Sequence, residues 1–124
     1  MPDRYTQIVI LCEDRQQDVF ARHFLTSMGI AERHRIRTRF ISPGKGSGEQ
    51  YVREMFAEEV RTYRSRSSHL HIALAVLTDA DILTVADRIH QLESALLSKS
   101  LAKREDHERI AFFIPKRNIE TWIH

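Results

Sequence analysis

Two apolar runs, each closed by carboxylates, constrain the fold of this chain more than any other feature. Ile8-Val9-Ile10-Leu11-Cys12 ends at Glu13, and Ile72-Ala73-Leu74-Ala75-Val76-Leu77-Thr78 ends at Asp79-Ala80-Asp81. Apolar runs without polar alternation read as strands buried on both faces, the mark of a parallel sheet covered by helices. A helical pattern follows each run. In an open parallel sheet, ligands bind in the crevice outside the carboxyl ends of the strands. Glu13, Asp79 and Asp81 should therefore meet on one rim. Clustered carboxylates repel one another unless a cation offsets their charge, and hard oxygen ligands suit Mg²⁺ or Mn²⁺. Taken singly, an acid at a strand end reads as the cap of the next helix. Taken together, their order and spacing favour a metal site.

The rest of the chain supports one α/β domain over residues 1–124. Residues 5–12 read as the first strand and 14–29 as a helix, with Phe20, Phe24 and Met28 every four residues and Gly29 placed to end it. A second strand over 35–42 alternates Arg35, Arg37 and Arg39 with Ile36, Thr38 and Phe40, which suggests an edge strand with one solvated face. Glu49 to Arg64 forms a helix with an apolar stripe of Val52, Met55, Phe56, Val60 and Tyr63. The third strand spans about 70–78, the third helix about 82–98, and the fourth strand Arg109 to Ile114. A last helix opens after Pro115-Lys116-Arg117-Asn118. Ile119 to His124 is barely one turn, so this helix is expected to be truncated. The βαβαβαβα alternation implies a mostly parallel, Rossmann-like four-stranded sheet with right-handed crossovers.

Bulk properties exclude several classes. No apolar stretch reaches the roughly 18–20 residues that span a bilayer, and the first residues lack the apolar segment of a secretory signal. The single cysteine, Cys12, excludes an internal disulfide and fits a cytoplasmic setting. Cys12 itself reads as an inert buried thiol. A net charge of +2 is too small to argue for nucleic acid alone, although Arg33, Arg35, Arg37, Arg39, Arg61, Arg64 and Arg66 offer either a nucleic-acid face or a solvated surface.

A glutamate after the first strand and an Asp-x-Asp after the third resemble the TOPRIM fold of topoisomerases, bacterial primases and the overcoming-lysogenisation-defect nucleases. The segments Leu77-Thr78-Asp79-Ala80-Asp81-Ile82-Leu83-Thr84 and Ile114-Pro115-Lys116-Arg117-Asn118-Ile119-Glu120-Thr121-Trp122 look closest to small bacterial TOPRIM-like proteins found beside phage-defence genes. The resemblance implies Mg²⁺ (or Mn²⁺) on Asp79 and Asp81. It gives Glu13 general acid/base work or further coordination, and makes phosphodiester cleavage the activity. It also implies nucleic acid as substrate, DNA before RNA, with an ATPase partner and an oligomer as possible company. The alternative is a non-catalytic regulatory or interaction domain of the same fold in a larger complex. One position departs from the family: Asp14 stands where Gly usually follows the glutamate, either as a further ligand or as a repelling charge. Asp18 falls where relatives often carry an acid.

Other residues are candidates on their own chemistry. The loop Gly44-Lys45-Gly46-Ser47-Gly48 presents backbone N–H groups and Lys45 to a phosphate, or is a plain surface loop. Lys116 and Arg117 follow the fourth strand and open onto the same rim, where the Arg117 fork suits phosphate best. Glu120 is a fourth acid or a first-turn residue favoured by the helix dipole.

Overall fold

The computed structural model describes residues 6–29, 34–40, 46–66, 72–79 and 84–114. In chain order the elements are β1 (Thr6–Leu11), α1 (Arg15–Ser27), β2 (His34–Arg39), α2 (Gly48–Arg66), β3 (Ile72–Leu77), α3 (Val85–Ser98) and β4 (Ile110–Phe113). The four strands form one sheet in the order β2-β1-β3-β4, and every pairing is parallel. The expected α/β class and four-stranded parallel sheet are both present.

Strand order and handedness decide where the helices go. The step from β1 to β2 runs one way across the sheet, and the steps from β2 to β3 and from β3 to β4 run the other way. Right-handed crossovers then place α1 on one face and α2 with α3 on the opposite face. The core divides accordingly. Val9, Leu11, Leu74 and Val76 pack with Val52, Phe56 and Val60 of α2 and Leu92 and Leu96 of α3. Ile8, Ile10, Cys12 and Leu77 form a smaller cluster with Ala21. Phe56 is fully buried and meets Phe112 edge-on, with ring centroids 5.4 Å apart.

Local signals set the helix ends. The Asp14 side chain caps α1 by accepting from the Gln17 amide, and Gly29 follows in the left-handed region at φ 74°. Thr84 caps α3 through the Asp87 amide.

The helix expected from the spacing of Phe20, Phe24 and Met28 is present as α1, with Gln17 and Ala21 buried and Phe24 and Met28 exposed. One sequence expectation changes. The arginines of β2 do not simply face solvent. Arg39 and Arg37 lie 3.2 and 3.9 Å from Glu59, a nearly buried residue of α2, so the edge of that layer is ionic rather than apolar. The polar segment before β4 is also anchored. Arg64 grips Glu108 through both carboxylate oxygens, at 2.7 and 3.0 Å, and this pairing holds the Glu108 carboxyl below its usual pKa. Among the described residues no helix is long and apolar enough to cross a membrane.

Candidate functional site

Strands β1 and β3 are neighbours whose following helices leave to opposite faces of the sheet, α1 to one and α3 to the other. Between their carboxyl ends lies the switch point where open α/β sheets form a crevice. Glu13 and Asp79 stand on its two sides. The structure brings them together: Glu13 Oε2 accepts from the Thr78 hydroxyl at 2.5 Å and from the Asp79 amide at 2.8 Å. Sixty-five residues of sequence separate Glu13 from Thr78. Glu13 Oε1 accepts no hydrogen bond from a described residue.

Burial pushes the Glu13 carboxyl above its ordinary pKa. The hydrogen bonds from Thr78 and Asp79 oppose that effect, while the charges of Asp79 and Asp14 add to it.

Gln17 completes the arrangement. It is buried on the inward face of α1, where its Oε1 accepts from the Glu13 amide at 2.8 Å and its Nε2 points to Asp79 Oδ1 at 3.4 Å. One side chain thus links the backbone of one acid to the carboxylate of the other. Sequence reasoning passed over Gln17, although Asp14-Arg15-Gln16-Gln17 carries the acid-x-x-Gln signature of a capping box. Here the glutamine reaches the residue before the cap.

Arg88 was also missed, and its role is larger. It sits almost wholly buried on α3, donates from Nε to the Asp79 carbonyl at 3.0 Å, and donates from NH1 to Glu49 and Gln91, each at 2.6 Å. It therefore ties the carboxyl end of β3 to the first turn of α2.

The glycine-rich loop contributes through Gly48, which lies against the Glu13 backbone. A Cβ at residue 48 would fall 2.8 Å from Glu13 Cβ and closer still to its carbonyl oxygen. Only glycine lets the N-terminus of α2 come that near. Gly48→Ala should destabilise the protein by about 1–3 kcal/mol through this clash. A thermal melt within experimental error of the parent would contradict the close approach.

The remaining sequence candidates fall in three groups. Asp14 caps α1 through Oδ1. Asp18 turns to β2, where Oδ1 accepts from Thr38 at 2.7 Å and pairs with Arg22 at 2.9 Å. Both acids lie near Glu13 in sequence but are engaged structurally. Asp81, Lys45, Lys116, Arg117 and Glu120 lie outside the described residues. Cys12 is buried beneath the rim, and its thiol is pushed up to about 12 by burial first and then by Asp18 and Asp14. It stays protonated and offers no nucleophile.

Among the described residues no three His, Cys, Asp or Glu side chains converge as a ligand set. Mg²⁺ commonly takes one or two carboxylates from a protein and fills its octahedron with water and substrate phosphate oxygens. Glu13 and Asp79, hard oxygen donors on one rim, fit that demand. The chain matches no protein-family model, no curated protein and no solved structure.

Proposed function

We propose that this domain binds Mg²⁺ or Mn²⁺ at the crevice between β1 and β3 and cleaves phosphodiesters of nucleic acid, DNA before RNA, as a TOPRIM-like nuclease. The observation that carries this reading is the juxtaposition of Glu13 and Asp79 at the switch point of a parallel sheet. Asp79 and Asp81, with Glu13 beside them, are the residues to hold the ion. A bound ion would supply charge stabilisation to a phosphoryl group and its leaving oxygen.

The chain's own residues do the rest. Thr78 and the Asp79 amide fix Glu13 Oε2, which leaves Oε1 as the proton-handling atom. A water oxygen forms the new bond to phosphorus while Glu13 takes its proton, and the bond to the leaving sugar oxygen breaks. Gln17 and Arg88 act as positioning residues. Gln17 orients the Asp79 carboxylate, and Arg88 fixes the backbone that carries it. Lys116 and Arg117, which follow β4 in sequence, are assigned to substrate phosphates, with Lys45, which precedes α2 in sequence. The resemblance to small phage-defence TOPRIM proteins supports a defence role with an ATPase partner.

Metal linkage tests the site directly. Mg²⁺ or Mn²⁺ at about ten times its Kd should stabilise the protein by roughly 1.4 kcal/mol, about 5 °C in Tm for a domain of this size. Asp79→Asn with Asp81→Asn should remove that shift and leave the metal-free protein equally or more stable. A shift that survives both changes rules out the assignment. Cleavage is to be assayed with the full-length protein together with any ATPase encoded beside it.

A second reading, a non-catalytic regulatory domain in a larger complex, draws on the pairing of Arg37, Arg39 and Arg64 with Glu59 and Glu108. Those ion pairs leave less positive charge for a nucleic-acid backbone. A metal-dependent Tm shift without cleavage by the complete assembly selects it.

A further inference from the structure

Strand β2 closes one edge of the sheet. Its alternate positions carry Arg35, Arg37 and Arg39, which pair in register with Gln7, Val9 and Leu11 of β1. Side chains alternate across a strand, and Val9 and Leu11 belong to the cluster beneath α2. All three arginines therefore stand on the α2 side. Arg35 is exposed, and Arg37 and Arg39 are 42% and 37% exposed. Against these three cations the described residues set one carboxylate, that of Glu59. Its pairing reduces the charge of the row without cancelling it.

Like charges at alternate positions of one strand repel one another, a cost that a bound polyanion removes. Guarding an exposed sheet edge needs charge alone, which lysine supplies as well. Here a guanidinium is held in place. Arg39 donates to the Tyr51 hydroxyl of α2 and pairs with Glu59 at 3.2 Å. A guanidinium offers more N–H donors than two partners need, and the rest suit a phosphate.

The spacing and surroundings of the row select the polyanion. Alternate residues of a strand repeat at roughly 6.6 Å, close to the step between successive phosphates of an extended nucleic-acid strand. A duplex would bring a second phosphate backbone across the neighbouring surfaces. On α2 these carry the exposed Glu54 and Glu58, and on α1 Arg22 is already paired with Asp18. The track suits one strand and not two. It ends beside the crevice, because the Cys12 amide donates to the Arg39 carbonyl at 3.0 Å and Glu13 comes next in the chain.

We propose that Arg35, Arg37 and Arg39 bind a single strand of nucleic acid phosphate by phosphate and lead it to the crevice at Glu13. Delivery to the crevice rests on the proposed function, whereas binding along β2 does not.

Fluorescence anisotropy of a labelled oligothymidylate of about 12 nucleotides, a length within the reach of single-strand binders, reads the contact. The intact chain is titrated in EDTA, which separates binding from metal-dependent cleavage. Each phosphate contact contributes about −0.7 to the slope of log K against log salt. Arg35→Gln and Arg37→Gln should each flatten the slope by about that amount and weaken binding several-fold. Glu59 keeps Arg39 in both variants, so both should melt like the parent. Arg61→Gln removes the same charge from a 52% exposed position outside the row and should bind as the parent does. A parent that does not bind the oligonucleotide at low salt overturns the proposal, as do row variants with the parent's slope. Equal losses in Arg61→Gln reduce the effect to net charge and overturn it too. Duplex bound as tightly as the single strand, or row-dependent binding to phosphatidylserine vesicles in place of the oligonucleotide, assigns the row to another partner and likewise overturns it. Row-dependent binding without cleavage in Mg²⁺ or Mn²⁺ by the complete assembly counts against the proposed function and leaves the track along β2 standing.

Discussion

Glu13→Gln should lower metal-dependent phosphodiester cleavage by about 10²–10⁴-fold, the usual contribution of a positioned acid–base group, while substrate binding changes little. Glutamine keeps the volume and can still accept from the Thr78 hydroxyl and the Asp79 amide, so the local fold should persist. What it loses is the ability to take up a proton at the second oxygen. Single-turnover cleavage beside a binding isotherm separates the two effects, and a variant that cleaves like the parent would remove Glu13 from the chemistry. The same substitution has a signature without any cation. The folded-state pKa of Glu13 lies above its unfolded value because burial opposes the charge. Its contribution to stability is therefore fully present below the unfolded pKa and is lost as pH rises through the folded one. Metal-free Glu13→Gln should accordingly lose less stability than the parent as pH climbs from about 4 towards neutrality.

Arg88→Met should be the most damaging single change to the rim, costing about 3–5 kcal/mol. The methionine fills much of the space of the aliphatic stem but abandons three acceptors that are largely out of water: the Asp79 carbonyl, Glu49 and Gln91. Hydrogen bonds to charged groups are worth about 1.5–3 kcal/mol each, and Glu49 keeps partial compensation from Arg53 at 3.3 Å. For a domain of this size the loss corresponds to a fall in Tm of more than about 10 °C. Glu49→Gln should recover part of it, because an amide left behind is cheaper than a carboxylate. Chemical denaturation of the parent, both single variants and the double variant gives the coupling. A cost below about 1 kcal/mol for Arg88→Met would mean that the clasp between β3 and α2 is ornamental.

The sequence made some of this legible and hid the rest for identifiable reasons. Doubly buried strands announce themselves because every position is apolar, so β1 and β3 and the acids that end them could be placed without coordinates. The helices showed through their period, and Gly29 marked the end of α1. Arg88 and Gln17 did not show, because a polar residue on the inward side of a helix reads as a gap in the apolar stripe. Its meaning depends on partners brought in by the fold, Glu49 lying 39 residues away and Asp79 lying 62. The arginines of β2 misled for a related reason. Alternation was read as solvent on one side, whereas Glu59 waits there within the apolar stripe of α2. The period of Phe20, Phe24 and Met28 marked α1 correctly, although only part of that apolar side meets the sheet.

The wiring of the crevice has a kinetic consequence. Its two carboxylates hang on β1 and β3, a central parallel pair joined through an excursion that includes α1, β2 and α2. Pairing of that kind must first close a long loop and is slow compared with forming a helix. A folding intermediate holding β1, α1 and β2 would own Glu13, Asp14 and Gln17 and still have no partner for them. Cation binding at the proposed site should thus appear only when β1 and β3 zip together, later than the far-UV signal of the helices. In stopped-flow refolding, the lag between those two signals would time the closure of the sheet's centre.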